Sequence, residues 1–192
     1  MKYNKYITDR GYILRKESLT FNDIKKIKKD LLVSAAVNSS YGAKASPFPV
    51  YMESTKKIYL PLHYGIDKFG KAENVNISKG TDINIEFKGS LRDKQKPAYE
   101  AFINQCALSE DEIDFTNKSN GGIISLPCGY GKTILSLYLI WKLQKKALVI
   151  VHKEFLVNQW KERIEEFLPD AKVGTIQGST FDIDDKDIVL GM

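Results

Sequence analysis

Gly121-Gly-Ile-Ile-Ser-Leu-Pro-Cys-Gly-Tyr-Gly-Lys-Thr133 is the stretch on which the reading of this chain turns. Ile123 to Leu126 reads as a buried strand. Pro127 to Gly131 reads as a turn bearing two glycines, and Lys132-Thr133 as the opening of a helix. A bound polyphosphate needs that order. Glycines let backbone N–H groups curl around an anion, and a helix N-terminus adds its positive dipole end. Lys132 would reach the β- and γ-phosphates of a nucleoside triphosphate, and the Thr133 hydroxyl would hold Mg²⁺. The run therefore predicts a site for ATP and Mg²⁺. In the strict G-x-x-x-x-G-K-[ST] spacing the first glycine would fall at Leu126; here it comes at Gly129. A glycine turn that binds nothing is the competing reading.

The flanking residues extend the pattern. Ile134 to Leu143 is apolar nearly all round, which predicts a helix buried on most sides, closed by Lys145-Lys146. Ala147-Leu-Val-Ile-Val151 is a continuous apolar run suited to a parallel strand covered on both faces. Leu156, Trp160, Ile164 and Phe167 make one stripe of a helix over about 154–168, stopped by Pro169. Two short strands follow, at 172–176 and 187–191. Strands alternating with helices at this spacing mean βαβ units, a parallel sheet and an α/β fold. Upstream, a helix begins near Asp93 with Pro97 in its first turn and runs to about Ala107. Ser109 to Asn120 reads as a polar loop, with Asp111-Glu112 solvated in it.

The first 88 residues read as a small α+β domain, with Lys88-Gly-Ser90 as the boundary to a second domain over 89–192. Ile24, Ile27 and Leu31 give one helical stripe, capped by Thr20 or Asn22, with Lys25, Lys26, Lys28 and Lys29 on the other face. Phe48 to Glu53 and Lys57 to Pro61 read as a hairpin about Ser54-Thr-Lys56. Asp82 to Phe87 alternates as a strand. Residues 1–88 hold 16 Lys+Arg against 9 Asp+Glu, and residues 89–192 hold 13 against 15. A basic first half points to a polyanion such as nucleic acid; a solvated lysine surface explains the same count. Seven of the ten tyrosines precede residue 65. They suit either a stacking surface for single strands or a small β core.

Bulk properties exclude several classes. No window approaches ~20 apolar residues, so no membrane span is expected. Met1-Lys-Tyr-Asn-Lys-Tyr6 lacks an apolar signal core, which predicts an intracellular, cytoplasmic protein. Cys106 and Cys128 do not make a disulfide framework, and with His63 and His152 they are too scattered for a zinc site.

Leu126-Pro-Cys-Gly-Tyr-Gly-Lys-Thr133, the segment from Leu148 to Ile164, Val173 to Gly178 and Asp187 to Gly191 resemble, in order, motif I, motif Ia and the approach to motif Ib of superfamily 2 (DEAD/DEAH-like) helicases. Leu91-Arg-Asp-Lys-Gln95 resembles the family's adenine-reading segment, Leu-Arg-Pro-Tyr-Gln, with Asp93 and Lys94 in place of Pro and Tyr. The branch it resembles is that of large DNA viruses, of the poxvirus transcript-release type, and of excision-repair helicases. The resemblance implies a partial RecA-like P-loop domain at 89–192, preceded by the α+β domain. It implies that Arg92 and Gln95 serve the adenine, and that Pro127, Cys128, Gly129, Tyr130, Gly131, Lys132 and Thr133 bind ATP-Mg. Lys132 and Thr133 are the catalytic candidates, and Cys128 is a packing residue. His152, Lys153, Gln159, Gln177 and Gly178 would meet DNA or RNA, while Trp160 packs in the core. A surface helix position for Gln95, and an ordinary loop for Gln177-Gly178, are the plainer readings. Partners among transcription or repair machinery are implied, with no membrane; a viral protein would work in the host cytoplasm or the virion.

The family hydrolyses ATP with an Asp-Glu pair on a later strand, and none follows Thr133 in this chain. The expectation is the N-terminal portion of an ATP-dependent helicase, truncated before that motif, that binds ATP weakly, if at all, and neither turns it over nor unwinds by itself. Two other readings stand beside it: a P-loop nucleoside or small-molecule kinase, and a non-catalytic nucleic-acid-binding module.

Overall fold

The computed structural model describes residues 3–34, 46–78, 80–106 and 121–192. They form two compact units, one of residues up to Ser78 and one from Gly80 onward. The loop read at Ser109 to Asn120, with Asp111-Glu112, lies outside the described residues. Among those described, no helix is long and apolar enough to cross a membrane.

The first unit opens with a hairpin, β1 (Lys5–Thr8) and β2 (Gly11–Arg15). Then come α1 (Phe21–Asp30), β3 (Leu32–Val33), β4 (Phe48–Pro49), β5 (Met52–Glu53), β6 (Lys57–Leu60), α2 (Leu62–Phe69) and β7 (Asn74–Asn76). The main sheet runs β5-β6-β2-β1-β7, antiparallel except between β1 and β7. α1 begins at a reciprocal cap. The Asp23 N–H donates to Thr20 Oγ1 at 3.1 Å, and the Thr20 N–H donates to the Asp23 carboxylate at 2.9 Å. The Thr20 hydroxyl, which also donates to the Asp23 carboxylate at 2.7 Å, and after it the Thr20 N–H hold the Asp23 carboxyl below its usual range. Ile27 and Leu31 of the predicted stripe are buried, and with Leu62, Ile66 and Phe69 of the second helix they cover Ile7, Tyr12, Leu14, Ile58 and Leu60. Gly65 allows that approach: a Cβ there would stand 2.2 Å from Tyr12 Cγ. The run read as one strand from Phe48 to Glu53 is two. The Val50 N–H donates to the Leu31 carbonyl at 2.9 Å, which ties the first piece to β3 and leaves the second for β6.

The second unit holds a 3-10 turn (Asp93–Gln95), α3 (Lys96–Cys106), α4 (Lys132–Leu143), β8 (Ala147–Ile150), α5 (Glu154–Phe167), β9 (Val173–Gln177), β10 (Thr180–Asp182) and β11 (Ile188–Gly191). The sheet order is β10-β9-β11-β8. β8, β11 and β9 are parallel, and β10 turns back antiparallel on β9. The last strand thus lies between the first two, so this α/β unit contains a parallel crossover. Leu137 of α4 and Val157, Ile164 and Leu168 from the α5 region pack with Ile188, Leu190 and Val149.

Four expectations need correction. Ile123 to Leu126 is not a buried strand: it carries no strand pairing and Ile123 is 96% exposed. Apolar character does not make a strand unless a neighbour takes up the backbone N–H and C=O groups, and no described strand lies against this segment. β8 is not covered on both faces. Both helices pack on the face with Val149, and alternation sends Leu148 and Ile150, 58% and 76% exposed, to the other. Asp82 to Phe87 is not a strand beyond one bridge, Asp82 with Lys145. Gln144 takes the partner's place: its Nε2 donates to the Ile85 carbonyl at 2.9 Å and its Oε1 accepts from the Ile85 N–H at 3.3 Å. Ile85 and Phe87 consequently sit in the second unit's core, and the described residues part into the two units between Ser78 and Gly80. The fourth correction, Cys128, belongs to the site.

Candidate nucleotide-binding site

The turn from Pro127 to Gly131 is shaped by its two glycines. Gly129 and Gly131 have φ of 73° and 85°, the left-handed region that side chains with a Cβ rarely adopt. A Cβ on Gly129 would meet nothing within 4 Å, whereas one on Gly131 would stand 2.6 Å from Gln95 Nε2. Gly131 is the N-cap of α4. No side chain caps this helix, and its first turn has no acidic residue. Its leading N–H groups therefore lack a side-chain acceptor, the condition under which a helix N-terminus takes an anion.

Gln95 is the residue that places the turn. It is 2% exposed, the one buried polar residue among those described. Its Oε1 accepts from the Arg92 N–H at 2.9 Å, and its Nε2 donates to the Gly131 carbonyl at 3.0 Å. The plainer alternative, a surface helix position, is thus replaced by a buried clamp on a 3-10 turn. Lys132 Nζ donates to the carbonyls of Leu126 at 2.9 Å and Pro127 at 3.0 Å. The Tyr130 N–H also reaches Pro127, at 3.4 Å, and the Lys94 ammonium lies 4.9 Å from the Tyr130 ring centroid. That contact was not read from the sequence; an aromatic at 130 facing a cation at 94 was the available signal. Cys128 is exposed and does not pack, because it sits at the outer tip of the turn. Thr133 is half-buried in the first turn of the helix. A cleft of about 630 Å³ adjoins the turn, walled by Pro97, Ala101, Phe102, Ile124 and Tyr130.

The structure thus gathers Arg92, Gln95 and Pro127 to Thr133 into one place. The second predicted set lies at the carboxyl edge of the sheet. His152 and Lys153 follow the end of β8 and are exposed; Gln177 ends β9 and Gly178 makes the tight turn to β10 with φ 58°. α4 returns directly into β8, so its N-terminus and the phosphate turn face that same edge, where ligands of open α/β sheets bind. Gln159 is exposed on α5, and Trp160 packs into the core as expected. The donor set fits a nucleoside triphosphate with Mg²⁺: uncapped N–H groups, an ammonium and a hydroxyl on one turn.

The family described as Type III restriction enzyme, res subunit, matches residues 88–192. A protein of Acanthamoeba polyphaga mimivirus, named as an ATP-dependent RNA helicase, is 32% identical over 176 residues, 89% of this chain and 32% of its own length. A helicase of Invertebrate iridescent virus 6 is 39% identical over 104 residues, 52% of this chain and 21% of its own. The general transcription and DNA repair factor IIH helicase/translocase subunit XPB of Enterocytozoon bieneusi is 28% identical over 116 residues, 59% of this chain and 17% of its own. The chain spans about a third or less of the length of these relatives.

Proposed function

The chain belongs to the Type III restriction enzyme res-subunit family, within the superfamily 2 helicases, and on that premise we propose that it supplies the ATP-binding half-site of an ATP-dependent DNA or RNA helicase or translocase. The observation that carries this reading is the uncapped N-terminus of α4 behind two left-handed glycines, with Lys132 and Thr133 in its first turn. The main-chain N–H groups there and the Lys132 ammonium hold the triphosphate, and the Thr133 hydroxyl holds Mg²⁺. Gln95, buried, fixes the turn with one N–H, and Arg92 beside it, exposed, is left to meet the adenine edge. Bound here, ATP with Mg²⁺ supplies the free energy of phosphoanhydride cleavage. His152, Lys153, Gln159, Gln177 and Gly178 meet the nucleic-acid backbone at the sheet edge. The relatives' names include an RNA helicase and a transcription and repair subunit, which supports partners of that kind.

No Asp-Glu pair follows Thr133 in these 192 residues. The chain by itself therefore binds nucleotide weakly and does not turn it over, since phosphoryl transfer depends on charge placed around the γ-phosphate from several elements. Binding of a fluorescent ATP analogue with Mg²⁺, abolished in Lys132→Ala, is the expected result. Equal binding by both proteins refutes the site. ATPase activity of the 192-residue chain that disappears in Lys132→Ala refutes the absence of turnover.

A further inference from the structure

The phosphate turn is least constrained at its middle. Gly129 and Gly131 flank Tyr130, and glycine gives up more backbone freedom than any other residue when it is held in one conformation. The space beside Gly129 is open, since an added Cβ would meet nothing within 4 Å. The turn's own hydrogen bond, from the Tyr130 N–H to the Pro127 carbonyl, is long at 3.4 Å and correspondingly weak. Tyr130 is therefore the one side chain by which the stretch between the two glycines can be gripped.

The 3-10 turn grips it. Gln95 takes the Gly131 carbonyl, and Lys94, the residue before, sets its ammonium 4.9 Å from the Tyr130 ring centroid. Consecutive residues of one turn thus hold consecutive residues of the other. Lys94 is exposed and has no ion pair among the described residues. Asp93, the acid beside it in sequence, is taken by Lys96 at 2.8 Å. The Tyr130 ring is left as the partner of the ammonium. The Gly131 N–H, on the peptide between the two gripped residues, donates to no described residue. The helicase segment that Leu91 to Gln95 resembles has Tyr where this chain has Lys94, so the contact belongs to this chain and is not carried over from the family.

On the premise that the turn holds a triphosphate, we propose that Lys94 is a positioning residue for it, acting through the Tyr130 ring to keep the Gly131 N–H turned toward the phosphates. With Tyr130 held by Lys94 and Gly131 by Gln95, turning the peptide between them breaks one of the two contacts. Loss of either member of the Lys94–Tyr130 pair frees that rotation, and ordering the donor then opposes binding. The effect falls on the phosphates and not on the base.

The test is competition for a fluorescent ATP analogue with Mg²⁺ on the whole 192-residue chain, by tripolyphosphate and separately by adenosine, with each variant folded by circular dichroism. Lys94→Met raises the tripolyphosphate inhibition constant about two- to five-fold, the range of an exposed cation–π contact, and leaves that of adenosine unchanged. Tyr130→Leu does the same, and the double variant is no worse than either single one. Lys94→Arg binds as wild type does, because a guanidinium keeps the contact. Losses that add in the double variant would mean that Lys94 meets phosphate directly, and they overturn the proposal. An equal loss for adenosine, or a loss in Lys94→Arg as large as in Lys94→Met, overturns it as well. Wild type that fails to bind the analogue, or that binds it no better than Lys132→Ala, refutes the nucleotide site, and this role falls with it. Wild type that binds, with Lys132→Ala impaired and Lys94→Met not, refutes this role alone.

Discussion

Replacing Gln95 by alanine tests whether a buried side chain, and not the turn's own sequence, sets the shape of the phosphate turn. The substitution deletes two hydrogen bonds, to the Arg92 N–H at 2.9 Å and to the Gly131 carbonyl at 3.0 Å. Each contributes about 1 kcal/mol net. The two ends are not equivalent. The Gly131 carbonyl also accepts from the Leu135 N–H at 3.0 Å and keeps a partner, whereas the Arg92 N–H loses its acceptor. The side chain's apolar stem leaves a void as well, at about 1 kcal/mol. The expected loss is about 2–3 kcal/mol, or about 10 °C in Tm for a unit of this size. Both tryptophans, Trp141 and Trp160, pack in the second unit, so tryptophan-monitored urea denaturation reads that unit. A loss below about 0.5 kcal/mol refutes the clamp. Gln95→Glu sharpens the test by setting a carboxylate oxygen against the Gly131 carbonyl. Burial and that carbonyl raise the folded-state pKa above the unfolded ~4.3. The variant is then no worse than alanine below pH ~4 and becomes worse as pH rises. A pH-independent Gln95→Glu would refute the burial of this side chain against the Gly131 carbonyl.

Gly65→Ala puts a methyl 2.2 Å from Tyr12 Cγ and must push α2 off the sheet; a loss of about 3 kcal/mol in the first unit is expected, and a neutral substitution refutes the packing. Thr20→Ala removes the α1 cap and costs about 1 kcal/mol at neutral pH. The lowered Asp23 pKa works in the same direction: its contribution is present above the unfolded value of ~3.9 and lost as pH falls, so Thr20→Ala is less acid-sensitive than wild type in far-UV circular dichroism. Burial, with Glu73 nearby, pushes the Tyr12 hydroxyl up to about 12. A raised folded value means stability present below the unfolded ~10 and lost as pH rises from there toward 12. Tyr12→Phe, which also loses the bond to the Gly70 carbonyl at 2.9 Å, should flatten that alkaline loss in circular dichroism; an unchanged profile refutes the assignment.

The second unit was the more legible in sequence because its elements are long and carry single stripes. α5 ends one residue from the position set by Pro169, and the strands read at 172–176 and 187–191 appear as β9 and β11. Alternation misled at Asp82 to Phe87, where a strand-like pattern is satisfied by the core under α4 and by one side chain, Gln144. It also failed to reveal that β11 inserts between β8 and β9, since order in a sheet is a long-range property. In the first unit α2 was not legible: its eight residues contain Gly65 and follow Pro61, an N-cap residue that supplies no side-chain cap. At the site, the turn's residues were legible from glycine spacing. The burial of Gln95 was not, because a lone glutamine near a helix start looks the same whether it faces water or Gly131.

The turn's inward hydrogen bonds explain why so short a loop can present donors outward. Three carbonyls, of Leu126, Pro127 and Gly131, accept from Lys132 Nζ or Gln95 Nε2. In a planar trans peptide the N–H points opposite to the C=O. Pinning the Pro127 and Gly131 carbonyls inward therefore turns the N–H groups of Cys128 and Lys132 outward. The Leu126 carbonyl belongs to the peptide whose nitrogen is Pro127, so proline sits at the one place where no outward donor is lost. Lys132 then has two tasks, anchoring the turn through two carbonyls and meeting phosphate, and it cannot do both with the same three protons at full strength. Lys132→Ala should lose turn stability together with nucleotide binding, and both have to be measured. A variant that loses only binding would show that Gln95 alone is enough to hold the turn.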